Sequence, residues 1–372
     1  MRILFTGGGT AGHVNPAVAV ANFIKEKEPD SQFLFIGSEN GMEATLVPKQ
    51  GYDIKFIKIH GFERKLSFKN VKTLAEIFDG IKRVKKIIKK FKPDVVMGTG
   101  GYVTGPVLLA ASMMKVPTLV HEANAYPGVT VRLLARFVDV VALSMSEAKK
   151  FIPTCRRIEV TGNPVRPSIL ATDQFTAKRK LGLDDRKVVL IFGGSLGAEK
   201  INSVAVDWIS GIADKNKYQI IMSTGKNNQY ENVMKKFRDK GITLEDYPEV
   251  RVSEYIYDMD LALNAADLII ARSGGSVSEM TALGKAAILI PSPYVAGNHQ
   301  EHNARAVEAS GGAVVICENE LSREKLGKTV EQILDNEDIL HDMSHGSKSI
   351  GIPDATDKIY TILKEIKTIR KG

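Results

Sequence analysis

The sequence predicts an α/β protein of two doubly wound domains, and three observations carry this prediction. The chain has 372 residues, which is long for a single hydrophobic core. Short, continuously apolar runs alternate with helical patterns, and strands that are apolar on both faces belong to parallel sheets covered by helices. A strand, a glycine-rich turn and a helix follow one another twice, from residue 2 and again from residue 187.

Each half of the chain contributes five predicted strands. In the first half the apolar runs are 2–6, 32–37, 94–98, 117–121 and 139–144. In the second half they are 187–194, 218–224, 267–271, 286–291 and 313–316. Two prolines and a glycine interrupt the pattern in VTGNPVRPSIL (160–170), so the predicted domains are 1–162 and 163–352.

Composition narrows the functional classes. The chain is 44% apolar and 25% charged, which is typical of a globular protein. Its two cysteines, Cys155 and Cys317, form neither a disulfide framework nor a zinc motif, so a reducing cytoplasm is expected. The chain runs straight into a strand and contains no window of about 18 uncharged apolar residues, so we expect neither a signal peptide nor a membrane span.

The net charge of +8 comes from one segment. Residues 61–93 hold eleven Lys or Arg and three Asp or Glu, which alone gives +8 and indicates a polyanionic partner. Apolar residues recur among the cations at helical spacing, as in a helix that lies on an anionic membrane surface. The segment lacks the aromatic residues on which bases stack, so a membrane is favoured over nucleic acid. The alternative is a helix that packs only on the first sheet. The predicted membrane-contact residues are Leu74, Phe78, Lys82, Arg83, Lys85 and Lys86.

The first glycine turn contains a histidine. Residues 7–12 match G-x-G-x-x-G between a strand and a helix, where backbone N–H groups can meet a phosphate. Asn15 is expected to cap the helix, with Pro16 in its first turn. A dinucleotide-binding domain is one interpretation, but the second strand ends without the acidic residue that holds a ribose, and His13 lies outside that fingerprint. Close strand–helix packing is another interpretation.

Three motifs in the second half suit a nucleotide sugar. GGSLGA (193–198) forms a turn that can hold a diphosphate. In RSGGSVSEM (272–280), Glu279 can accept hydrogen bonds from ribose hydroxyls, the alternative being a simple helix N-terminal charge. In PYVAGNHQEHNA (293–304), H-x-x-H lacks a third zinc ligand, so its amides and imidazoles suit sugar hydroxyls better. Asp258 of the D-x-D string is interpreted as a helix cap rather than a metal ligand.

Eight motifs that follow one another along nearly the whole chain carry a family resemblance. They are GGGTAGHVNPAVAVA, GTGGYVTGPVLLAA, HEANAYPGVTVRLLA, TGNPVR, GGSLGA, RSGGSVSEM, NHQEHNA and IPDAT. Together they resemble the MurG family, which transfers N-acetylglucosamine to lipid I in peptidoglycan synthesis. The resemblance implies the GT-B fold: two Rossmann-like domains face a central cleft, and a C-terminal helix at 353–372 packs back on the first domain.

The resemblance also implies the reaction and its surroundings. The donor would be UDP-N-acetylglucosamine and the acceptor undecaprenyl-diphosphate-linked MurNAc-pentapeptide, joined by an inverting β-1,4 transfer that gives lipid II. No cofactor or metal is implied. The enzyme would lie peripherally on the cytoplasmic face of the cell membrane, with cell-wall assembly proteins among its partners.

Site residues follow from the same motifs. The resemblance places Thr10, Ala11 and Gly12 beside the donor near the reaction centre, and Asn124 at the sugar. It assigns Arg166 and Ser195 to the donor near the linker and the diphosphate, the Ile256 backbone to uracil, Glu279 to the ribose and Gln300 to a sugar hydroxyl. His299 stands where some relatives carry a glutamine, so the resemblance assigns it no role.

Inverting transfer requires a base for the acceptor hydroxyl. His13 is the first candidate, because imidazole has the most suitable pKa and the residue lies in the first glycine loop. Alternatively, His13 shapes the loop or binds the acceptor diphosphate. Glu122 is the second candidate and His121 the third. Two other functions stay open: a GT-B transferase that moves glucose from UDP-glucose to diacylglycerol, and a non-enzymatic dinucleotide-binding module.

Overall fold

The chain divides into two compact units. The computed structural model describes the backbone of residues 1–59, 68–152 and 154–369, and the side chains of all of these except 68–75 and 369. Unit 1 comprises the chain up to Val165 and again from Ile352, and unit 2 runs from Arg166 to Gly351. The chain therefore leaves unit 1 three residues after the predicted boundary at residue 162.

Unit 1 contains a seven-stranded sheet in the order β3-β2-β1-β4-β5-β6-β7, in which every pair is parallel. The strands are Arg2–Thr6 (β1), Gln32–Gly37 (β2), Ile54–Phe56 (β3), Val95–Gly98 (β4), Thr118–Glu122 (β5), Val140–Leu143 (β6) and Ile158–Val160 (β7). The order reverses between β1 and β4, which is the point where ligands bind in doubly wound sheets.

Helices cover both faces of this sheet because side chains alternate along each strand. Ile3 and Phe5 pack in one apolar layer with residues of the first and last helices, such as Ile359, whereas Leu4 packs in the layer on the opposite face. The helices of unit 1 are Ala11–Lys27 (α1), Glu43–Lys49 (α2), Phe68–Phe91 (α3), Thr104–Met113 (α4), Val129–Leu134 (α5) and the C-terminal Ala355–Ile369 (α15).

Unit 2 contains a six-stranded parallel sheet in the order β10-β9-β8-β11-β12-β13. Its strands are Val188–Phe192 (β8), Gln219–Ser223 (β9), Val250–Ser253 (β10), Leu268–Ala271 (β11), Ala286–Leu289 (β12) and Ala313–Val315 (β13). Its helices are Pro167–Leu170 (α6), Gln174–Lys180 (α7), Glu199–Ser210 (α8), Gln229–Asp239 (α9), Met259–Ala265 (α10), Ser276–Leu283 (α11), His299–Ala309 (α12), Arg323–Leu334 (α13) and Glu337–Ser349 (α14).

Two local predictions about helix starts need correction. Helix α1 begins at Ala11, so Asn15 and Pro16 lie inside it and the predicted Asn15 cap is wrong. The reason is that Gly9 adopts a left-handed φ of 86°, which turns the chain into the helix five residues earlier than expected. Asp258 does occupy the N-cap position of α10, but its side chain makes no capping hydrogen bond. Within the part of the chain that is described, no helix is both long and apolar enough to cross a bilayer.

Candidate active site

The first glycine loop of unit 1 is interlocked with the loop that follows β4. The Gly8 N–H donates to the Gly100 carbonyl oxygen at 3.2 Å. Both Gly100 and Gly101 have positive φ, and a Cβ on Gly101 would lie 2.3 Å from the Gly8 oxygen. A Cβ on Gly100 would lie 2.8 Å from Cδ2 of His13. The second loop therefore needs glycine, and the His13 ring rests against it.

The orientation of His13 leaves one ring nitrogen suited to act as a base. Its Nδ1 lies 3.0 Å from the Gly8 carbonyl oxygen. A carbonyl oxygen can only accept, so in the neutral ring Nδ1 carries the proton and Nε2 carries the lone pair. The ring is half-buried, and the neighbouring Thr10 and Gly12 are exposed while Ala11 is half-buried. The site can therefore present Nε2 to a hydroxyl group.

Glu122 organises the loop between β5 and α5. Its buried carboxylate accepts hydrogen bonds from Asn124 N–H at 2.9 Å, from Asn124 Nδ2 at 3.0 Å and from Gly128 N–H at 2.8 Å. These bonds fix the position of Asn124, which was assigned to the sugar. A carboxylate that serves three donors of its own loop is a weaker candidate for the base than His13.

His121, the third candidate, is enclosed. It has no solvent exposure, and its Nε2 lies 3.0 Å from the Gly162 carbonyl oxygen. Burial lowers the pKa of His121 to about 4, although the contact with Gly162 acts in the opposite direction. An imidazole that a substrate cannot reach does not act as the base, so we take it to be structural.

Unit 2 contains a cavity of about 690 Å³ beside the carboxyl ends of its strands. Ser195 and Gln300, which were both assigned to the donor, line it. The Gln300 Oε1 accepts from the Ser292 N–H at 2.9 Å, and the Gln300 carbonyl oxygen accepts from the Ser273 hydroxyl at 2.7 Å. Because Oε1 is held by the backbone, Nε2 is the end of the amide that can donate to a ligand.

The loop that carries Ser195 precedes helix α8. Gly194, Ser195 and Leu196 are exposed, and the Gly197 N–H closes the turn on the Gly194 carbonyl oxygen at 2.9 Å. A Cβ on Gly225 would lie 2.1 Å from the Gly197 nitrogen, so this loop is packed as tightly against its neighbour as the one in unit 1. Backbone N–H groups at the start of a helix attract anions, which suits a diphosphate here.

Arg166 and Glu279, both assigned to the donor, form an ion pair. Nε of Arg166 lies 3.2 Å from Oε1 of Glu279. Burial raises the pKa of Glu279, and the nearby guanidinium opposes that shift. Ile256 is half-buried in the segment after β10, between the exposed Tyr255 and Tyr257. Glu279 and Ile256 follow the carboxyl ends of β11 and β10 and so lie at one edge of the unit 2 sheet, whereas Arg166 precedes α6.

Two family models together match most of the chain. The N-terminal domain of glycosyltransferase family 28 matches residues 3–143, and the C-terminal domain of the same family matches residues 188–359. The chain belongs to glycosyltransferase family 28. The family assignment covers both units, including the two glycine loops and the cavity.

Individual relatives support the same conclusion. A protein of Acetivibrio thermocellus named UDP-N-acetylglucosamine–N-acetylmuramyl-(pentapeptide) pyrophosphoryl-undecaprenol N-acetylglucosamine transferase is 48% identical over 368 residues, 98% of each chain. A protein of the same name from Bacillus pumilus is 43% identical over 370 residues, 99% of this chain and 100% of the other. The crystal structure of MurG from Acinetobacter baumannii is 27% identical with a TM-score of 0.79, covering 98% of this chain and 99% of that one. The predicted membership of the MurG family and the GT-B fold class are confirmed.

An ion pair in the cavity was not predicted. Arg272 pairs with Glu318, and Nη1 of Arg272 donates to the Ile290 carbonyl oxygen at 3.1 Å. Both side chains are largely buried and line the cavity. Arg272 stands in the motif RSGGSVSEM and could have been found there, whereas Glu318 follows an edge strand and carries no local signal. His299 is half-buried and bonds only locally among the contacts described, with Nδ1 2.9 Å from the Ala296 carbonyl oxygen.

The predicted membrane-contact residues lie mostly on the outer face of α3. Ile81, Val84 and Ile88 are buried in the core of unit 1, and Phe78 is 65% exposed. Of the cations, Lys82, Arg83 and Lys86 are exposed and Lys85 is half-buried. The Leu74 side chain lies outside the described residues.

Proposed function

We propose that this member of family 28 transfers N-acetylglucosamine from UDP-N-acetylglucosamine to the 4-hydroxyl of MurNAc in lipid I and so forms lipid II. The observation that carries the proposal is the similarity of up to 48% identity, across 98% of the chain, to relatives that bear the name of this transferase. The protein is a glycosyltransferase, so the non-enzymatic dinucleotide-binding interpretation is set aside.

Unit 2 offers the contacts that the donor needs. The diphosphate would lie at the start of α8 beside Ser195, and Nε2 of Gln300 would donate to a sugar hydroxyl. Glu279 would accept from the ribose while Arg166 keeps its carboxylate ionised, and the Ile256 backbone would meet the uracil. In unit 1, Asn124 and the loop at 10–12 would contact the sugar at the reaction centre.

The chemistry assigns His13 the role of general base. Nε2 takes the proton of the acceptor hydroxyl. At the same time the hydroxyl oxygen bonds to C1 of the donor sugar, from the face opposite the diphosphate. The bond between C1 and the diphosphate oxygen breaks, UDP leaves with the electron pair, and the α configuration becomes β. His13→Ala should lower kcat by about 10²–10⁴-fold, the usual contribution of general acid–base catalysis, and leave UDP affinity unchanged. A wild-type kcat would remove His13 as the base.

A membrane contact would bring the enzyme to its lipid-linked acceptor at the cytoplasmic face. Besides Phe78, the exposed apolar residues of unit 1 include Met113, Leu133 and Phe137. The Ser112 hydroxyl donates to the Phe137 carbonyl oxygen at 2.7 Å, so the end of α4 lies beside the segment after α5. Cations near a membrane surface are worth roughly 1 kcal/mol each, which suits reversible, peripheral binding to anionic lipid. Cell-wall assembly proteins would be further partners.

A UDP-release assay with a soluble lipid I analogue tests this function. We expect release with UDP-N-acetylglucosamine only when the acceptor is present, and much slower release with UDP-glucose. Diacylglycerol serves as the control acceptor. Release that needs diacylglycerol and UDP-glucose would instead identify the alternative lipid glycosyltransferase.

A further inference from the structure

A buried carboxylate that the mechanism does not use lies behind the first glycine loop. Glu43 is the first residue of α2, and only 1% of it is exposed. Its Oε1 accepts from the Ser38 N–H at 2.8 Å and from the Ser38 hydroxyl at 2.7 Å. Its Oε2 accepts from the Gly9 N–H at 2.8 Å. Burial of an ionised carboxylate is unfavourable unless hydrogen bonds compensate, and these three bonds do so.

Glycines shape the slot that holds this carboxylate. A Cβ on Gly8 would lie 2.2 Å from Oε1 of Glu43, and a Cβ on Gly41 would lie 2.0 Å from Oε2. A Cβ on Gly37 would lie 2.4 Å from Cγ of the same side chain. Gly8 belongs to the loop of the candidate base, so the loop and the carboxylate are fitted to each other.

The contact with Gly9 connects Glu43 to His13 through one peptide group. The N–H of Gly9 and the C=O of Gly8 belong to the same amide plane. Glu43 accepts from the N–H end, and the C=O end accepts from Nδ1 of His13. A carboxylate at the N–H end polarises the amide and makes its oxygen a better acceptor. In Ser-His-Asp triads, a carboxylate bonds Nδ1 directly and stabilises the imidazolium that forms. Here a peptide group stands between the two.

We infer that Glu43 is a positioning residue for His13, which it orients and makes more basic through the Gly8–Gly9 peptide group. This inference rests on the proposed role of His13 as the base. It accounts for the buried acidic side chain that packs against the loop of the candidate base.

Glu43→Gln is the direct test, because the amide keeps the shape but one of its ends can no longer accept. We expect kcat to fall about 10- to 100-fold, the loss that corresponds to one charge-assisted hydrogen bond, while the KM for UDP-N-acetylglucosamine changes less than about twofold. The acidic limb of the kcat–pH profile should move to lower pH, because the imidazolium loses stabilisation. In a His13→Ala background the substitution should change kcat by less than about twofold, since it acts through His13.

Asp139→Asn is the matched control at the amino ends of β5 and β6. Its Oδ2 accepts from the Thr118 N–H at 2.9 Å and the Thr118 hydroxyl at 3.0 Å, the same pattern as at Ser38. Asp139→Asn should leave kcat and the acidic limb of the kcat–pH profile unchanged, even if it lowers Tm.

Two results would overturn the inference. One is a wild-type kcat and an unshifted acidic limb of the pH profile for Glu43→Gln. The other is that Glu43→Gln lowers kcat as much in the His13→Ala background as it does in the wild type. A wild-type kcat for His13→Ala alone refutes a different claim, that His13 is the base. If Glu43→Gln does not fold, Glu43→Asp keeps the charge but shortens the reach by one methylene. It should show an intermediate loss of kcat, and a wild-type rate would refute the inference equally well.

Discussion

Replacing Glu279 by Gln should weaken UDP binding by roughly 5- to 30-fold. A hydrogen bond to a charged acceptor is worth about 1.5–3 kcal/mol and one to a neutral acceptor about 0.5–1.5 kcal/mol, so the ribose contact should lose about 1–2 kcal/mol. Unit 2 should stay folded, because the Arg166 side chain that pairs with Glu279 is half exposed and such pairs stabilise little.

Isothermal titration with UDP measures this loss. Asp335→Asn is the matched control, since Asp335 pairs with Lys217 at the amino end of β9, and it should bind UDP as the wild type does. Glu279→Ala should lose at least as much affinity as Glu279→Gln. Wild-type affinity in both Glu279 variants would refute the ribose contact.

The ion pair also predicts a pH dependence. Burial raises the pKa of Glu279 and Arg166 lowers it, so UDP affinity should fall as the pH drops through this raised pKa. Arg166→Ala should raise the pKa further, and the fall should begin at a higher pH. UDP titrates in the same range, so the profile of Glu279→Gln is the reference. Identical profiles from about pH 8 to about pH 5 for the wild type and Glu279→Gln would contradict the assignment.

Three further predictions concern separate parts of the molecule. Gln300→Ala should raise the KM for UDP-N-acetylglucosamine while UDP itself binds normally, and unchanged KM and kcat would exclude its sugar contact. His121 has a folded pKa of about 4 against about 6.5 unfolded, so up to about 3 kcal/mol of stability is present above pH 6.5 and is lost as the pH falls towards 4. In urea titrations, His121→Asn should lack this part of the loss of stability in acid. An equal loss in the variant and the wild type would contradict the prediction. Binding to phosphatidylglycerol vesicles should weaken with salt and should drop when four cations of α3 are replaced by Gln. It should not drop when four exposed cations of unit 2 are replaced in the same way. Equal binding by the two variants would mean that the α3 cations only form a solvated helix face. The first set is Lys82, Arg83, Lys85 and Lys86, and the control set is Arg179, Lys180, Lys215 and Lys328.

Nine of the ten strands that the sequence predicts have neighbours on both sides, and the exception is the edge strand Ala313–Val315. Their residues are buried on both faces, as in Val188–Phe192, and a continuous apolar run marks them. The three strands that were not predicted, Ile54–Phe56, Ile158–Val160 and Val250–Ser253, are all edge strands of the two sheets. Only β10 of these has a fully buried residue, and polar residues interrupt all three, so hydrophobic pattern alone does not reveal them.

Motifs located the candidate site, but not the contacts that support it. The glycine loops and residues such as Gln300 lie in short motifs that can be recognised from the sequence alone. Glu43 and Gly9 lie 34 residues apart, and Arg166 and Glu279 lie 113 apart, so only the folded chain brings them together. The early start of α1 depends on the left-handed conformation of Gly9, which the Glu43 carboxylate helps to hold. A helix-capping preference that considers only neighbouring residues takes no account of such a long-range contact.

The most direct test of the account is the structure of the product that the purified protein makes from UDP-N-acetylglucosamine and a soluble lipid I analogue. Proton NMR of that product should show one added N-acetylglucosamine, joined through a β linkage to the 4-oxygen of MurNAc. An α-linked product would contradict the inverting displacement assigned to His13. Release of UDP without any glycosylated acceptor would contradict the transfer itself.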